Sequence, residues 1–369
     1  MHLEHHQSDQ HVLPKHFGWI DGLRGVAAMA VVIFHYHHFY LADYADRGNI
    51  PAPQSFPWHT VLGVFYEYGA SAVQLFWVIS GFVFAHVYVD RGAQFRSFVV
   101  ARFARLYPLH FVTLILVTGV QLASVAWVGH WQIYGNNDLY HFGLQLAMSS
   151  DWTTLSRGLS YNGPIWSVSL ELVAYGLFLV TLPLLRHFGL IAAVALTAAM
   201  WWLGLGETLD IPGIRPSVFI CAGYFFLGNC VYFVLRQAGA RQGASLALIG
   251  LAVLVGGWSF RSGNEYLMEA SASVAVVGVF ALADVMWRGP NVWWLKRLGD
   301  MSSSIYLIHV PLQMVILFLD DVMFAGSRTF ATSPWTLPLY LFVTTWLADL
   351  TYRQFEIPAS RALRKKLLP

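Results

Sequence analysis

The sequence predicts an all-α, polytopic membrane helix bundle of about ten transmembrane helices with both termini cytoplasmic. Three observations carry this. Charged residues make up only 11 % of the 369 positions while aromatics reach 16 %, against about 25 % charged in an ordinary soluble domain. Apolar stretches long enough to span recur along the whole chain. The basic residues fall very unevenly between the segments that separate those stretches. With a mean hydropathy of +0.53, most of the surface cannot face water.

Taken in order, residues 1–17 carry His2, His5, His6, His11 and His16 but neither the basic start nor the apolar core of a signal peptide. They read as a disordered cytoplasmic tail rather than a metal site. Apolar stretches follow near 19–41, 68–88, 109–129, 165–185, 188–206, 217–235, 243–260, 268–287, 303–320 and 335–353, each about 20 residues, enough to cross hydrocarbon. Only Arg186-His187 is expected to separate the fourth from the fifth. With the N-terminus inside, the inner segments hold 16 Lys and Arg and the outer loops 5, leaving Arg24 aside, which favours both termini inside. Residues 18–358 therefore form one membrane domain. Residues 359–369 form a basic cytoplasmic tail suited to anionic lipid. Cys221 and Cys230 share a helix about 13 Å apart along its axis and cannot bridge.

Ionisable groups inside the apolar stretches mark the candidate site, because each costs roughly 3 kcal/mol or more in hydrocarbon. Arg24 and His35 lie eleven residues apart, about three helical turns, so they share a face roughly 16 Å apart. His37 and His38 follow, but adjacent side chains on a helix diverge by about 100°, so no metal is expected there. In Gln74-Leu-Phe-Trp-Val-Ile-Ser80-Gly81-Phe82, the small Ser-Gly pair is expected to let another helix approach. Arg96, Arg102 and Arg105 precede Pro108, where a helix is expected to begin. Arg102 and Arg105 share a face, and guanidinium groups suit phosphates.

Two further stretches complete the constellation. In Trp166-Ser167-Val-Ser-Leu-Glu171-Leu-Val-Ala-Tyr175, Ser167, Glu171 and Tyr175 recur every four residues and line one face. Counting rise per residue puts Glu171 and His35 at nearly the same depth, so a His35–Glu171 dyad is expected. In Gly299-Asp300-Met-Ser-Ser-Ser304-Ile-Tyr-Leu-Ile-His309-Val-Pro311, Ser304 and His309 fall in the first turns of a helix. There His309 is expected near the inner face with Arg24. The picture is an inner basic mouth leading up to a His–Glu centre. An outer loop over 130–164, with Trp131, Tyr134, Asn136, Asn137, Asp138, Tyr140, His141, Trp152 and Tyr161, offers aromatic faces and polar groups of the kind that suit a sugar.

Arg24 with ten residues before His35, Phe76-Trp-Val-Ile-Ser-Gly-Phe82, Arg102-Phe-Ala-Arg105-Leu-Tyr-Pro108, Trp166-Ser-Val-Ser-Leu-Glu171, Ser304-Ile-Tyr-Leu-Ile-His309-Val-Pro and the closing Glu356-Ile-Pro358 occur in order. Together they resemble the motifs of the acyltransferase 3 family of integral-membrane acyltransferases. The resemblance implies transfer of an acyl group, usually acetyl from acetyl-CoA, to a hydroxyl of a carbohydrate or glycolipid across the membrane, in most members the bacterial inner membrane. Carried over by motif, Arg24 and His35 match the family's essential arginine and histidine, Arg102 and Arg105 its arginine motif, and Glu171 its buried acid.

The assignment is therefore catalytic His35, Glu171 and Arg24; acyl-CoA binding by Arg102, Arg105, Ser304 and His309; and substrate binding by Trp166, Ser167 and Tyr175. The expected partners are the bilayer and the glycan acceptor, without metal or nucleic acid. Family members often append an esterase-like domain, for which this chain is expected to stop too early, so a separate soluble partner is compatible. The rival class is a secondary transporter, which also carries midplane ionisable groups. It should show inverted repeats, and no such symmetry relates residues 19–185 to 188–353.

Overall fold

The computed structural model describes residues 13–45, 50–156, 158–206, 213–238, 242–287 and 292–368. The structure is 80 % helix, with no strand among the described residues. The helices are α1 (Gly18–Phe34), α2 (His59–Tyr68), α3 (Ala72–Tyr88), α4 (Phe95–Val128), α5 (Leu139–Leu146), α6 (Ile165–Phe188) and α7 (Leu190–Leu205). They continue with α8 (Pro216–Ala238), α9 (Gln242–Ser262), α10 (Glu265–Trp287), α11 (Trp293–Asp300), α12 (Ser302–Phe324), α13 (Thr336–Thr351) and α14 (Ile357–Leu367). Every expected apolar stretch coincides with a helix. Among the described residues, seven helical segments are long and apolar enough to cross a membrane, including Gly18–Tyr40, His59–Tyr88 and Ser302–Phe324. Leu190–Leu205 and Leu246–Ser262 are apolar but shorter.

Three boundaries differ from the sequence expectation. The α6–α7 break falls at Gly189, in the left-handed region at φ 53°, and Arg186 and His187 belong to the last turn of α6. The arginine helix does not start at Pro108. α4 begins at Phe95 and runs 34 residues with Pro108 inside it, about 51 Å, so Arg102 and Arg105 sit on the helix itself. Residues 359–369, expected as a tail, are largely helical in α14, which carries Pro358 in its first turn and packs along α4. Of the expected N-terminal tail, residues 1–12 lie outside the described residues; Phe17 is buried, its ring 4.9 Å from those of Phe82 and His86.

Small residues set the closest helix crossings, since no side chain then holds the backbones apart. A Cβ at Gly81 in α3 would meet the Phe225 carbonyl of α8, and one at Gly228 would meet the Val78 carbonyl. Asn229 Nδ2 seals that crossing, donating to the Gly81 and Phe225 carbonyls at 3.1 Å each. The start of α1 is tied to α10 by Asp284, which accepts the Trp19 and Ile20 amides at 2.9 and 3.2 Å. Outward faces are apolar, as lipid contact requires: Val180 is 80 % exposed and Leu254 74 %. The starts of α1 and α12, the arginine segment of α4 and α14 gather at one end of the bundle, here termed the basic end.

Candidate active site

The crossing of α1 and α11 decides which residues meet deep in the bundle. Gly25 lies against the backbone of Leu298 and Gly299, where a Cβ would come within 2.6 Å of Leu298 C. Ten residues beyond Gly25 is His35, and ten beyond Gly299 is His309; both stand about 15 Å further from the basic end. They meet there. His309 Nε2 is 3.3 Å from His35 Nδ1, with ring centroids 5.0 Å apart.

Backbone carbonyls assign the tautomers. His35 Nδ1 is 2.9 Å from the Val31 carbonyl and His309 Nδ1 is 2.7 Å from the Tyr306 carbonyl. A carbonyl only accepts, so each Nδ1 carries hydrogen, and in the neutral rings each Nε2 keeps a lone pair. The His309 lone pair faces the His35 Nδ1–H, while His35 Nε2 is left as a base. Gln313 holds this arrangement by donating to the His35 carbonyl at 2.8 Å and accepting from His38 Nδ1 at 3.0 Å. The Tyr340 hydroxyl donates to the His309 carbonyl at 3.0 Å.

α1 tightens into a 3-10 turn at His35–Tyr40, and this overturns the expected divergence of the adjacent histidines. The His35 and His38 centroids are 4.9 Å apart because the tighter turn brings residues three apart over one another, and the adjacent His37 and His38 rings meet edge-on with centroids 4.4 Å apart. Among the described residues no group of three or more His, Cys, Asp and Glu side chains is arranged to hold a metal.

Between this imidazole cluster and the basic end lies a cavity of about 960 Å³. Arg24, Arg102, Arg105 and Glu171 line it together with Ser80, Ser167, Tyr175 and Tyr306, on otherwise mostly apolar walls. Arg102 stacks 4.3 Å above the Phe84 ring, and its Nε has no hydrogen-bond partner among the described residues. Tyr306 closes the far wall: its hydroxyl is 2.6 Å from Ser167 Oγ and donates to the Pro164 carbonyl at 3.1 Å, and its ring centroid is 5.7 Å from that of His309. A second cavity, of about 780 Å³, opens at the basic end and shares Arg24 and Arg105 with the first.

Several expected partnerships are replaced. Glu171, expected on His35, is hydrogen-bonded instead by the Ser80 hydroxyl; His309 takes the place beside His35. Equal depth did not imply contact, because α3 and α12 also face this level. His309 consequently leaves the basic mouth, where it was expected. The α11 crossing lifts the start of α12 to the level of Gly25. Ser304 stays near that mouth and donates to Glu356 at 2.6 Å. Burial pushes the Glu356 carboxyl above the ordinary carboxylate value, against the opposing pull of Ser304, Arg105 and Arg24. Trp166 does not line the cavity; its ring packs edge-on to Trp77 at 5.9 Å. Ser167 and Tyr175 do line it, with Arg24, Arg102 and Arg105.

The loop over 130–164 satisfies much of its own polarity. Tyr161 pairs with Asn137, Asp138 caps α5 at the His141 amide (2.8 Å), and the Trp152 indole donates to the Ser169 carbonyl at 2.6 Å. The His141 amide holds the Asp138 carboxyl below the usual range, aided by its imidazole. Buried Tyr134 is the loop aromatic that reaches the imidazoles, with its centroid 5.9 Å from that of His38. Residue-level reading missed Tyr306 as the dividing wall and Arg361 and Arg364 as lining of the second cavity. Their i,i+3 spacing on a basic amphipathic helix was the available signal.

The acyltransferase-domain family model matches residues 17–353. The acyltransferase MdmB of Streptomyces mycarofaciens is 30 % identical over 65 % of this chain and 67 % of its own length. Peptidoglycan O-acetyltransferase OatA of Listeria monocytogenes is 22 % identical over 92 % of this chain and 55 % of its own. Protein 2 in the picA locus of Rhizobium radiobacter is 35 % identical over 28 % of this chain and 45 % of its own. The match thus spans about half the length of two of these relatives. No solved structure matches. The chain belongs to the acyltransferase 3 family.

Proposed function

We propose that this protein is an integral-membrane O-acyltransferase that moves an acyl group, acetyl in the first instance, from cytoplasmic acyl-CoA to a hydroxyl of a carbohydrate or glycolipid on the other side of the membrane. One arrangement carries the reading: arginine-lined cavities lie between the basic end and Tyr306, the Tyr306 ring lies beside His309, and His309 meets His35, whose neutral Nδ1–H tautomer leaves Nε2 as a base. The excess of basic residues at that end argues for a cytoplasmic mouth. The O-acetyltransferase name of one relative supports a glycan acceptor. About ten membrane crossings and a bacterial inner membrane complete the proposal.

In this mechanism Arg24, Arg102 and Arg105 neutralise the donor's phosphates through bidentate contacts, and the apolar walls take its thioester arm. His35 Nε2 removes the proton of the acceptor hydroxyl as its oxygen attacks the thioester carbonyl. The tetrahedral intermediate collapses, the C–S bond breaks, and the CoA thiolate recovers that proton from His35. The imidazolium formed between these steps is stabilised through Nδ1–H, bonded to the Val31 carbonyl and facing the His309 Nε2 lone pair. Glu171 acts away from His35, holding Ser80 and balancing the arginines.

Radiolabelled acetyl transfer from acetyl-CoA into glycan and glycolipid, in membranes carrying equal amounts of protein, tests this. His35→Ala is expected to lower transfer by about 10²- to 10⁴-fold, the usual worth of a general base. Unchanged transfer in the variant overturns the role of His35. Absence of transfer from acetyl- and longer acyl-CoA donors in the wild type overturns the reading and returns the transporter class.

A further inference from the structure

The second cavity has a chemistry of its own. Arg24, Arg105, Arg361 and Arg364 line it with Asp21, Asp300 and Glu356. The acids are engaged: Asp21 with His16 (2.9 Å), Asp300 with Lys296 (3.2 Å) and Glu356 with Ser304 (2.6 Å). Arg105, Arg361 and Arg364 are in no ion pair among the described residues, and Arg24 has only a 3.9 Å approach to Asp21. Arg364 spends one donor on the Ala101 carbonyl at 3.4 Å. Guanidinium groups gathered around open space, beside acids whose close partners lie elsewhere, are arranged for an anion of several charges.

Position adds a second constraint. Arg361 and Arg364 are three residues apart on one face of α14, which α4 supports. Arg24 and Arg105 also line the first cavity, whereas Arg361 and Arg364 line the second alone. A ligand reaching from α14 through the Arg24–Arg105 pair toward Tyr306 therefore needs anionic groups at two separate points and an uncharged arm beyond.

We propose that the second cavity binds the 3′-phosphorylated adenosine end of the donor: Arg361 and Arg364 pair with the 3′-phosphate while Arg24 and Arg105 hold the pyrophosphate. This rests on the acyl-CoA reading above and deepens it. α14 is then a donor-recognition helix as well as a basic surface facing lipid.

The test is calorimetric titration of the purified full chain with CoA and with dephospho-CoA, which lacks only the 3′-phosphate. The wild type is expected to bind CoA about tenfold or more tightly than dephospho-CoA, the worth of one charge-assisted contact. The Arg361→Gln/Arg364→Gln variant is expected to bring that ratio to about one while binding dephospho-CoA as before. Lys365→Gln/Lys366→Gln, outside the cavity lining, should keep the ratio and so exclude a general surface-charge effect. Both arginines are exposed, so the substitutions spare the core. Equal wild-type affinities, or a ratio that survives in the double arginine variant, overturn the inference and leave the donor reading standing. Binding of neither compound overturns both.

Discussion

Two sets of arginines in this bundle obey opposite rules. At the end remote from α14, Arg328 is 9 % exposed and saturated: it pairs with Asp320 at 2.9 Å and Asp321 at 2.7 Å, and donates to the carbonyls of Leu41, Leu317 and Ala42. Gln132 adds a bond to Asp321 at 2.5 Å. At the basic end Arg102, Arg105, Arg361 and Arg364 line cavities without an ion pair among the described residues. A buried charge whose every donor is used is a strut, whereas a charge left facing a cavity is a site. Counting arginines does not separate them; counting their partners does.

The sharpest way to break this contrast is Arg105→Ala against Arg328→Ala. The first should cut acetyl transfer by about 10²-fold or more at low donor concentration, through lost phosphate contacts worth roughly 1.5–3 kcal/mol each. It should leave thermal unfolding in detergent nearly unchanged. Arg328→Ala should do the reverse first, destabilising the fold by about 3–5 kcal/mol because Asp320 and Asp321 are left buried and uncompensated. Comparable melting temperatures for the two variants would sink the distinction.

A smaller effect is expected at the dividing wall. Tyr306→Phe removes one hydroxyl from the Ser167–Pro164 junction, worth about 1 kcal/mol, and should change transfer by about fivefold. Ser167→Ala made in the Tyr306→Phe background should add little, since the two share one bond; full additivity in that double-mutant cycle would mean they act separately.

The smallest effect belongs to the loop. Asp138→Ala should cost about 0.5–1 kcal/mol by uncapping α5, without touching donor affinity. Because the native Asp138 carboxyl is held below its usual value, its contribution is complete above the unfolded value of about 3.9 and is lost as pH falls through the native value. Melting temperatures of wild type and variant should therefore converge only in acid. A gap that persists unchanged there would show that the side chain acts through packing.

The sequence by itself determined where the long apolar helices lie, because apolar run length is a local property that hydrocarbon reads directly: every expected stretch is helical, although α14 and the arginine segment of α4 were not expected as helix. It also singled out Arg24, His35, Arg102, Arg105, Glu171 and His309 as costly groups needing partners. Which partner each one takes was decided only by the tertiary structure. His309 reaches His35 because Gly25 and Gly299 let α1 and α11 touch, and Glu171 turns to Ser80 because α3 passes closer than α1. Rise per residue gives depth along one helix. Contact depends on crossing points and on the rotation of each helix about its axis, which side chains hundreds of residues apart settle together.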